Sequence, residues 1–337
     1  YTGTLLDALV ELLRALHCTV IILSATLNQE RRSQLIGCEL YDSGYPLITA
    51  CRNGLPVAEV ALPPGRPESV ELRLLEDGQL AIEEALARAE QGQQVLWIEN
   101  TVAEAQQRYL DLAARGYELG VACGLLHSRF TADDRQAIED HWVNQFGKPG
   151  WQQRGQQGRI LVGTQVLEQS LDIDADFMVS RFAPTDMLLQ RMGRLWRHAD
   201  TPRPAGARRE CWMLAPELDK AIQQPLAAFG SSAHVYSPYV LCRSLQVWQA
   251  LGSLQLPEDI RPLIEATYAS RDEVEPMSRW LHELEQGNSR RKGRNALRQL
   301  ARVTLAEAGN TLPESKAQTR YSEMDSLEVL LLKAHPA

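Results

Sequence analysis

From residue 78 onward the chain alternates between helix-spaced and short continuous apolar segments, and that alternation leaves few possible architectures. Residues 80–89, 101–114 and 131–146 read as helices. Between them, residues 95–98, 120–126 and 160–163 read as strands. The pattern continues with a strand near 177–180, a helix over 186–194 and a last strand at 211–214. Strands that alternate with helices build a parallel sheet, because each helix carries the chain back across one face. The expected fold class is α/β: a parallel sheet with flanking helices, followed by a mostly helical C-terminal extension.

The flanks are less regular. Leu5, Leu6, Leu9, Leu12, Leu13 and Leu16 follow helical spacing. The apolar run from Thr19 to Leu23 predicts a buried strand ending at Ser24-Ala25-Thr26, with a helix over 29–36 after it. Pro63-Pro64-Gly65-Arg66-Pro67 breaks the chain, and Val70, Leu72 and Leu74 alternate as in a strand. Residues 147–158, rich in Gly and Gln, and 199–208, rich in Pro, Gly and Arg, read as flexible inserts. After Pro216 the pattern turns helical, for example at 245–251 and 277–284. Residues 317–320 and 327–332 suggest the start of a further small domain. These shifts divide the chain into 1–75, 76–214 and 215–337.

Bulk properties exclude some classes. Among 337 residues the net charge is −8, which argues against a histone-like binder but leaves room for a local basic groove. The six cysteines form no C-x-x-C pair and no zinc-spaced cluster, so a reduced, cytoplasmic protein without a metal site of its own is expected. No apolar run approaches about 18 residues, so no membrane span is expected. The first residue is Tyr1 in place of Met, which suggests a piece of a longer protein.

The strongest chemical signal is Gln190-Arg191-Met192-Gly193-Arg194-Leu195-Trp196-Arg197-His198. Arg194 and Arg197 stand three apart, one helical turn, and so point the same way. Guanidinium groups fixed like this suit phosphate oxygens, and an arginine finger stabilises a phosphoryl group in transfer. Gln190 can orient an attacking water. A solvated basic helix end is the plainer alternative. A second signal, Gly163-Thr164-Gln165-Val166-Leu167-Glu168-Gln169-Ser170-Leu171-Asp172-Ile173-Asp174, follows a strand at the carboxyl edge where α/β sheets bind ligands. Thr164 offers a hydroxyl and an N–H to a phosphate, and a carboxylate beyond it can accept a ribose hydroxyl. Three weaker signals are Ser24-Ala25-Thr26; Glu99-Asn100-Thr101-Val102, where Thr101 and Glu104 also make a capping box; and Leu126-His127-Ser128-Arg129-Phe130. His127 on its own reads as a satisfied structural histidine.

Along the chain, Ser24-Ala25-Thr26, the Asn100-Thr101 strand end, the 164–174 segment and the 190–197 segment resemble, in that order, motifs III, IV, V and VI of superfamily 2 helicases. The wording of the last two, with the 126–130 segment and Tyr45-Pro46-Leu47-Ile48, is similar to the CRISPR-associated helicase–nucleases of type I systems. The resemblance covers roughly residues 1–212 well and the helical tail less well. It implies that residues 1–75 end a first RecA-like lobe, 76–214 form the second, and 215–337 form a helical linker and the start of an accessory domain. It implies catalytic roles for Gln190, Arg194 and Arg197, and nucleotide contacts for Arg191 and for Asp172 or Asp174, depending on the motif alignment used. Thr164, Asn100, Thr101, Ser128 and Arg129 become candidates for the nucleic-acid backbone, and Ser24 and Thr26 for coupling the lobes.

The resemblance further implies ATP and Mg2+, single-stranded DNA, a guide-RNA surveillance complex, and a nuclease and first lobe in the same protein. The sequence departs from the pattern in having no G-x-x-x-x-G-K-[ST] phosphate loop and no Asp-Glu-x-His box, so the chain alone is expected to be inactive. Two rival readings stay open. One is a non-catalytic nucleic-acid-binding or adaptor module. The other is the second lobe of a superfamily 2 helicase from DNA repair or RNA remodelling. The basic run Arg290-Arg291-Lys292-Gly293-Arg294 with Arg298 can track a nucleic-acid backbone or simply form a solvated loop.

Overall fold

The computed structural model describes residues 2–306 except 43, 53–54, 64, 66, 169–170 and 290. Arg290, the middle of the Gln169-Ser170 motif and the expected further domain at 317–332 therefore lie outside the described residues. Two units form among the described residues: 2–22 with 273–306, and 23–272. In the first, α1 (Thr2–Ala15) has Val10 buried.

The larger unit opens with α2 (Gln29–Ile36) and an antiparallel hairpin, β1 (Leu47–Arg52) and β2 (Leu55–Ala61). The regular alternation follows: β3 (Glu68–Leu75), α3 (Gly78–Glu90), β4 (Gln94–Ile98), α4 (Val102–Glu118), β5 (Ala122–Leu126), α5 (Ala132–Phe146), β6 (Arg159–Gly163), β7 (Phe177–Arg181), α6 (Thr185–Met192) and β8 (Glu210–Leu214). Helices α7 (Leu218–Gln223), α8 (Pro225–Phe229), α9 (Ser232–Val235) and α10 (Pro238–Trp248), strand β9 (Ser253–Leu256) and α11 (Ile260–Tyr268) complete the unit. In the smaller unit α12 (Met277–Gln286) and α1 both lie against α13 (Arg294–Ala306).

Seven strands form one sheet in the order β5-β6-β4-β7-β8-β3-β9. Six run parallel, and β9 pairs antiparallel with β3. All residues of β4 and β6 are buried, as expected of parallel strands covered by helices on both faces. Trp97, Leu86, Leu112, Phe177 and Trp212 fill one side of the sheet. Capping sets the helix starts: Asp77, Thr101 and Thr131 accept from backbone N–H groups of α3, α4 and α5, each cap stabilising by about 1 kcal/mol. Gly124 in β5 makes room for Trp142, whose indole a Cβ would meet at 2.0 Å.

Several expectations change. Residues 19–23 pair with no strand among the described residues, and Ile21 and Leu23 are exposed. Strand β3, placed on the first side of the 75/76 boundary, is hydrogen-bonded into the same sheet as β8. The hairpin and β9 were not anticipated. Their partners are distant or their side chains lack a clean alternation, so local pattern carries little signal for them. Helix α6 stops at Met192, and Gly193 is its C-cap. Beyond it Leu195 makes a parallel bridge to Ala175, so Arg194 and Arg197 do not share a helical turn. The two inserts are not loose: Lys148–Gln153 is a 3-10 helix, and Arg154 and Arg203 are tied into the interior.

Candidate nucleotide and nucleic-acid site

Parallel pairing gathers the candidate segments at one edge. Ile98 of β4 and Leu126 of β5 both face Gly163 of β6, so the residues after these three strands emerge side by side. Thr164 N–H donates to the Leu126 carbonyl at 3.3 Å, and Glu99 N–H to the Gly163 carbonyl at 2.9 Å. Gly163 is required by this closeness, since a Cβ there would lie 2.4 Å from the Leu126 oxygen. Ser128 and Arg129 are exposed. Thr164 is only 3% exposed and its carbonyl accepts from Leu167 N–H, opening the 3-10 turn Gln165–Glu168. The Thr101 hydroxyl is engaged by Glu104 at 2.6 Å as part of its cap.

Asn100 does not fit the nucleic-acid role expected of it. It is buried; its Nδ2 donates to the Phe182 carbonyl and Ser232 Oγ, and its Oδ1 accepts from Arg191 Nη2 at 2.9 Å. Arg191 likewise turns inward and not toward a nucleotide. Its Nε donates to Glu168 Oε1 at 2.7 Å, and its Nη1 to Ser180 Oγ and the Arg181 carbonyl, each at 2.8 Å. Both side chains are spent on holding α6, β7, the turn after β6 and the end of β4 together.

Arg194 and Arg197 stand on the outside of this knot. Arg194 is half-buried; its Nη2 donates to the Glu168 carbonyl at 2.8 Å and its Nε to that of Leu167 at 3.3 Å. Burial, reinforced by the charge of Arg197, lowers the proton affinity of Arg194. Arg197 is exposed, with Nε 3.0 Å from Asp172 Oδ1. His198 Nε2 reaches the same oxygen at 2.9 Å. Gln190 is exposed on the last turn of α6. Of the two carboxylates considered for a ribose, Asp172 is open to solvent. Asp174 has none of its surface exposed: it accepts from Arg197 N–H, His198 N–H, the Thr201 hydroxyl and Arg203. Of the two, only Asp172 is open to a ligand; Asp174 is enclosed by its own protein partners and does not fit that role.

Behind Asp174 lies a buried ionic cluster. Arg203 Nη2 donates to both Asp174 oxygens and its Nη1 to Asp176, all at 2.8–2.9 Å. Arg154 bonds Asp176 Oδ1 and the Asp174 carbonyl at 2.8 Å. Trp196 sits at φ 54°, in the left-handed region that costs a bulky residue on the order of 1–3 kcal/mol. Its indole N–H donates to the Asp176 carbonyl, and the Arg203 guanidinium stacks 4.8 Å from its ring centre.

His127 is buried and stacked on Phe130 with ring centres 4.2 Å apart. Its Nδ1 accepts from Arg129 N–H at 3.2 Å, and burial pushes its pKa below the usual histidine value. Ser24 and Thr26 meet in a local turn, where Thr26 N–H donates to Ser24 Oγ at 3.4 Å. Among the described residues, no group of three His, Cys, Asp or Glu side chains is arranged to hold a metal ion, and no helix is long and apolar enough to cross a membrane.

Comparison with known proteins places this geometry. The family model for the C-terminal part of the CRISPR-associated nuclease/helicase Cas3 matches residues 91–200, a span that takes in β4 to α6 and Arg194 and Arg197. The chain is 32% identical over 350 residues to the CRISPR-associated endonuclease/helicase Cas3 of Escherichia coli K12, covering 96% of this chain and 38% of that protein. It superposes on the crystal structure of T. fusca Cas3 with a TM-score of 0.76 at 29% identity, over 89% of this chain and 37% of that one. The chain belongs to the Cas3 family as its C-terminal helicase region.

It spans little more than a third of the length of these Cas3 relatives. The T. fusca Cas3 structure with ATP also matches, at TM-score 0.72 and 29% identity, over 89% of this chain and 36% of that one. So does a chain of a CRISPR RNA-guided surveillance complex in a pre-nicking state, at 0.71 and 29%, over 90% and 39%. Within this Cas3-type region the sequence did not mark Glu168, Asp176, Arg154 or Arg203 as parts of the site. The first two lie inside or beside the motif without the spacing of a known ligand, and the arginines sit in the apparent inserts.

Proposed function

We propose that this region is the second motor lobe of an ATP-driven translocase acting on single-stranded DNA, within a protein whose first lobe and nuclease lie outside this chain. The observation that carries the reading is the placing of Arg194 and Arg197 beside the open carboxylate of Asp172, with Arg191 and Glu168 buried behind them. The donor set suits a nucleotide: two guanidinium groups for phosphate oxygens and an exposed carboxylate for a ribose hydroxyl. Bound ATP supplies the phosphoryl group whose transfer drives movement. Arg197 and Arg194 oppose the charge that develops there, and Gln190 holds a water in line. Before this happens Arg197 must exchange its contact with Asp172 for the nucleotide, a small rearrangement at an exposed pair. Magnesium is assigned to the first lobe, since this sequence carries no Asp-Glu-x-His box.

The exposed Ser128 and Arg129 are assigned to the DNA backbone; Thr164, buried with its N–H given to the Leu126 carbonyl, is assigned to bracing the turn beside them, and Thr101 to shaping that edge through its cap. Ser24 and Thr26 are assigned to coupling the lobes as the cleft opens and closes. The surveillance complex is the partner that this reading implies. The deciding measurement is ATP hydrolysis by the full-length protein with and without single-stranded DNA. Stimulation by unrelated oligonucleotides is expected; hydrolysis indifferent to DNA overturns the translocase reading.

A further inference from the structure

We infer that Arg203, acting through Asp174, is a positioning residue that sets the backbone of Arg197. This rests on the reading of Arg197 given above. Three observations carry it. Asp174 Oδ1 accepts the backbone N–H of Arg197 itself at 3.0 Å, so this carboxylate fixes the point from which the guanidinium is launched. Asp174 is completely buried and also holds His198 N–H and the Thr201 hydroxyl, so it needs a compensating cation. Arg203 is that cation: one nitrogen spans both Asp174 oxygens and the other takes Asp176.

The same guanidinium stacks on Trp196, the residue before Arg197, which is held at positive φ by its indole bond to the Asp176 carbonyl. Arg203 thus controls both the strained residue and the hydrogen bond on either side of one peptide. Arg154, bound to the Asp174 carbonyl and Asp176 Oδ1, anchors the cluster from the segment before β6. None of these groups has to touch the nucleotide. Their effect is geometric: when the fork on Asp174 and Asp176 is lost, the 196–203 turn can relax and Arg197 loses its fixed origin.

The two parts of Arg203 can be separated. A lysine keeps one positive charge but cannot span two carboxylates and stack on an indole at once. A glutamine removes the charge. If Arg203 acts through Arg197, its loss has nothing left to remove once Arg197 is truncated. A general packing role would instead weaken every variant alike.

The test is a double-mutant cycle in the full-length protein, with R197A, R203Q, R203K and the doubles R197A/R203Q and R197A/R203K. Single-strand-stimulated ATPase is measured as kcat and KM, beside thermal melting and oligonucleotide binding. R203Q is expected to lower kcat by about 10- to 100-fold with KM and DNA binding within about twofold, R203K to fall between it and the parent, and each double to match R197A alone. If R203Q does not fold, R203K with its double carries the same test. Normal kcat in the folded Arg203 variants, or doubles markedly slower than R197A, overturns the positioning role while leaving the arginine assignment standing. Normal turnover in R197A overturns that assignment, and the positioning role with it.

Discussion

Arg191 Nε lies 2.7 Å from Glu168 Oε1, and both side chains are shut off from solvent. This contact joins the helix that precedes the two outer arginines to the turn that follows β6. Asn100, Ser180 and the Arg181 carbonyl take the remaining guanidinium donors, so the buried cation is held on every nitrogen. Truncating one partner of such a pair strands the other in a dry interior. Arg191→Met should therefore cost about 3–5 kcal/mol of stability, far more than a surface arginine. Denaturant titration of the chain checks this; a loss below 1 kcal/mol, on the scale of an exposed pair, would show that the contact is not the brace described.

Arg194 and Arg197 should separate in stability although both are assigned to turnover. Either alanine variant should reduce single-strand-stimulated ATPase of the full-length protein by on the order of 10³-fold or more. Arg197 is exposed, and its removal should leave the melting temperature nearly unchanged. Arg194 ties down the Leu167 and Glu168 carbonyls from a half-buried position, so its removal should cost roughly 1–3 kcal/mol as well. Paired ATPase and melting curves read both effects. Equal melting of the two variants would remove the structural part of the Arg194 assignment.

The gathering of the candidate segments was legible in part. Motif order and the strand-end rule found the edge at 98–101, 126–129 and 163–174, because parallel pairing places consecutive strand ends together. The reach of single side chains was not legible. Asn100 looked like a surface candidate, yet it is turned inward by three buried partners supplied by α9, β7 and α6 or the loops beside them. Asp172 and Asp174 are two residues apart in one motif, and only burial tells the open carboxylate from the closed one. Arg154 and Arg203 were hidden because glycine- and proline-rich composition records local backbone freedom, not the long-range ion pair that ends it. The apolar run 19–23 failed as a strand for the opposite reason: local propensity was present, but no partner strand is among the described residues.

The edge assigned to nucleic acid gives a salt-dependent prediction. Arg129 is exposed in the loop after β5, and the last residue of that strand, Leu126, accepts from Thr164 N–H. If it meets a backbone phosphate, Arg129→Ala should weaken binding of unrelated oligonucleotides equally and reduce the slope of log affinity against log salt by about 0.7 for a single strand. Fluorescence anisotropy of the full-length protein with several sequences at four salt concentrations reads this directly. An unchanged slope would take Arg129 out of the interface.

His127 makes one side of that edge sensitive to pH. Its ring is neutral in the fold because burial disfavours the charged form, and its Nδ1 must stay unprotonated to accept from Arg129 N–H. The folded pKa is lower than the unfolded value of about 6.5, so the unfolded chain binds the proton more readily. The contribution of His127 to stability is then complete above that pH and is lost as pH falls toward the folded pKa. Unfolding midpoints from pH 5 to 8 should show His127→Asn destabilised at neutral pH, with the gap to the parent narrowing on the acid side. A gap that widens with acid would contradict the buried neutral ring.

The isolated chain should fold and yet hydrolyse no ATP. Its sheet is built from its own strands: six parallel strands and β9 bury a core among themselves and their covering helices, with α11 packed against α6 and α10. Arg194, Arg197 and Asp172 are present on that scaffold, but the role proposed for them is on a nucleotide already held in place. The backbone N–H cradle and lysine of a phosphate loop are missing from the sequence, as is an acidic box for magnesium. Arginines that stabilise developing charge contribute to the transition state more than to ground-state binding. ATP affinity should therefore be weak, and adding magnesium and single-stranded DNA should not produce turnover. Weak, salt-sensitive oligonucleotide binding through Arg129 and its neighbours should persist. The measurement is phosphate release by the purified chain beside its circular-dichroism melting curve. Release above background that disappears in Arg197→Ala would mean that this lobe completes a site by itself, and the division of labour proposed here would be wrong.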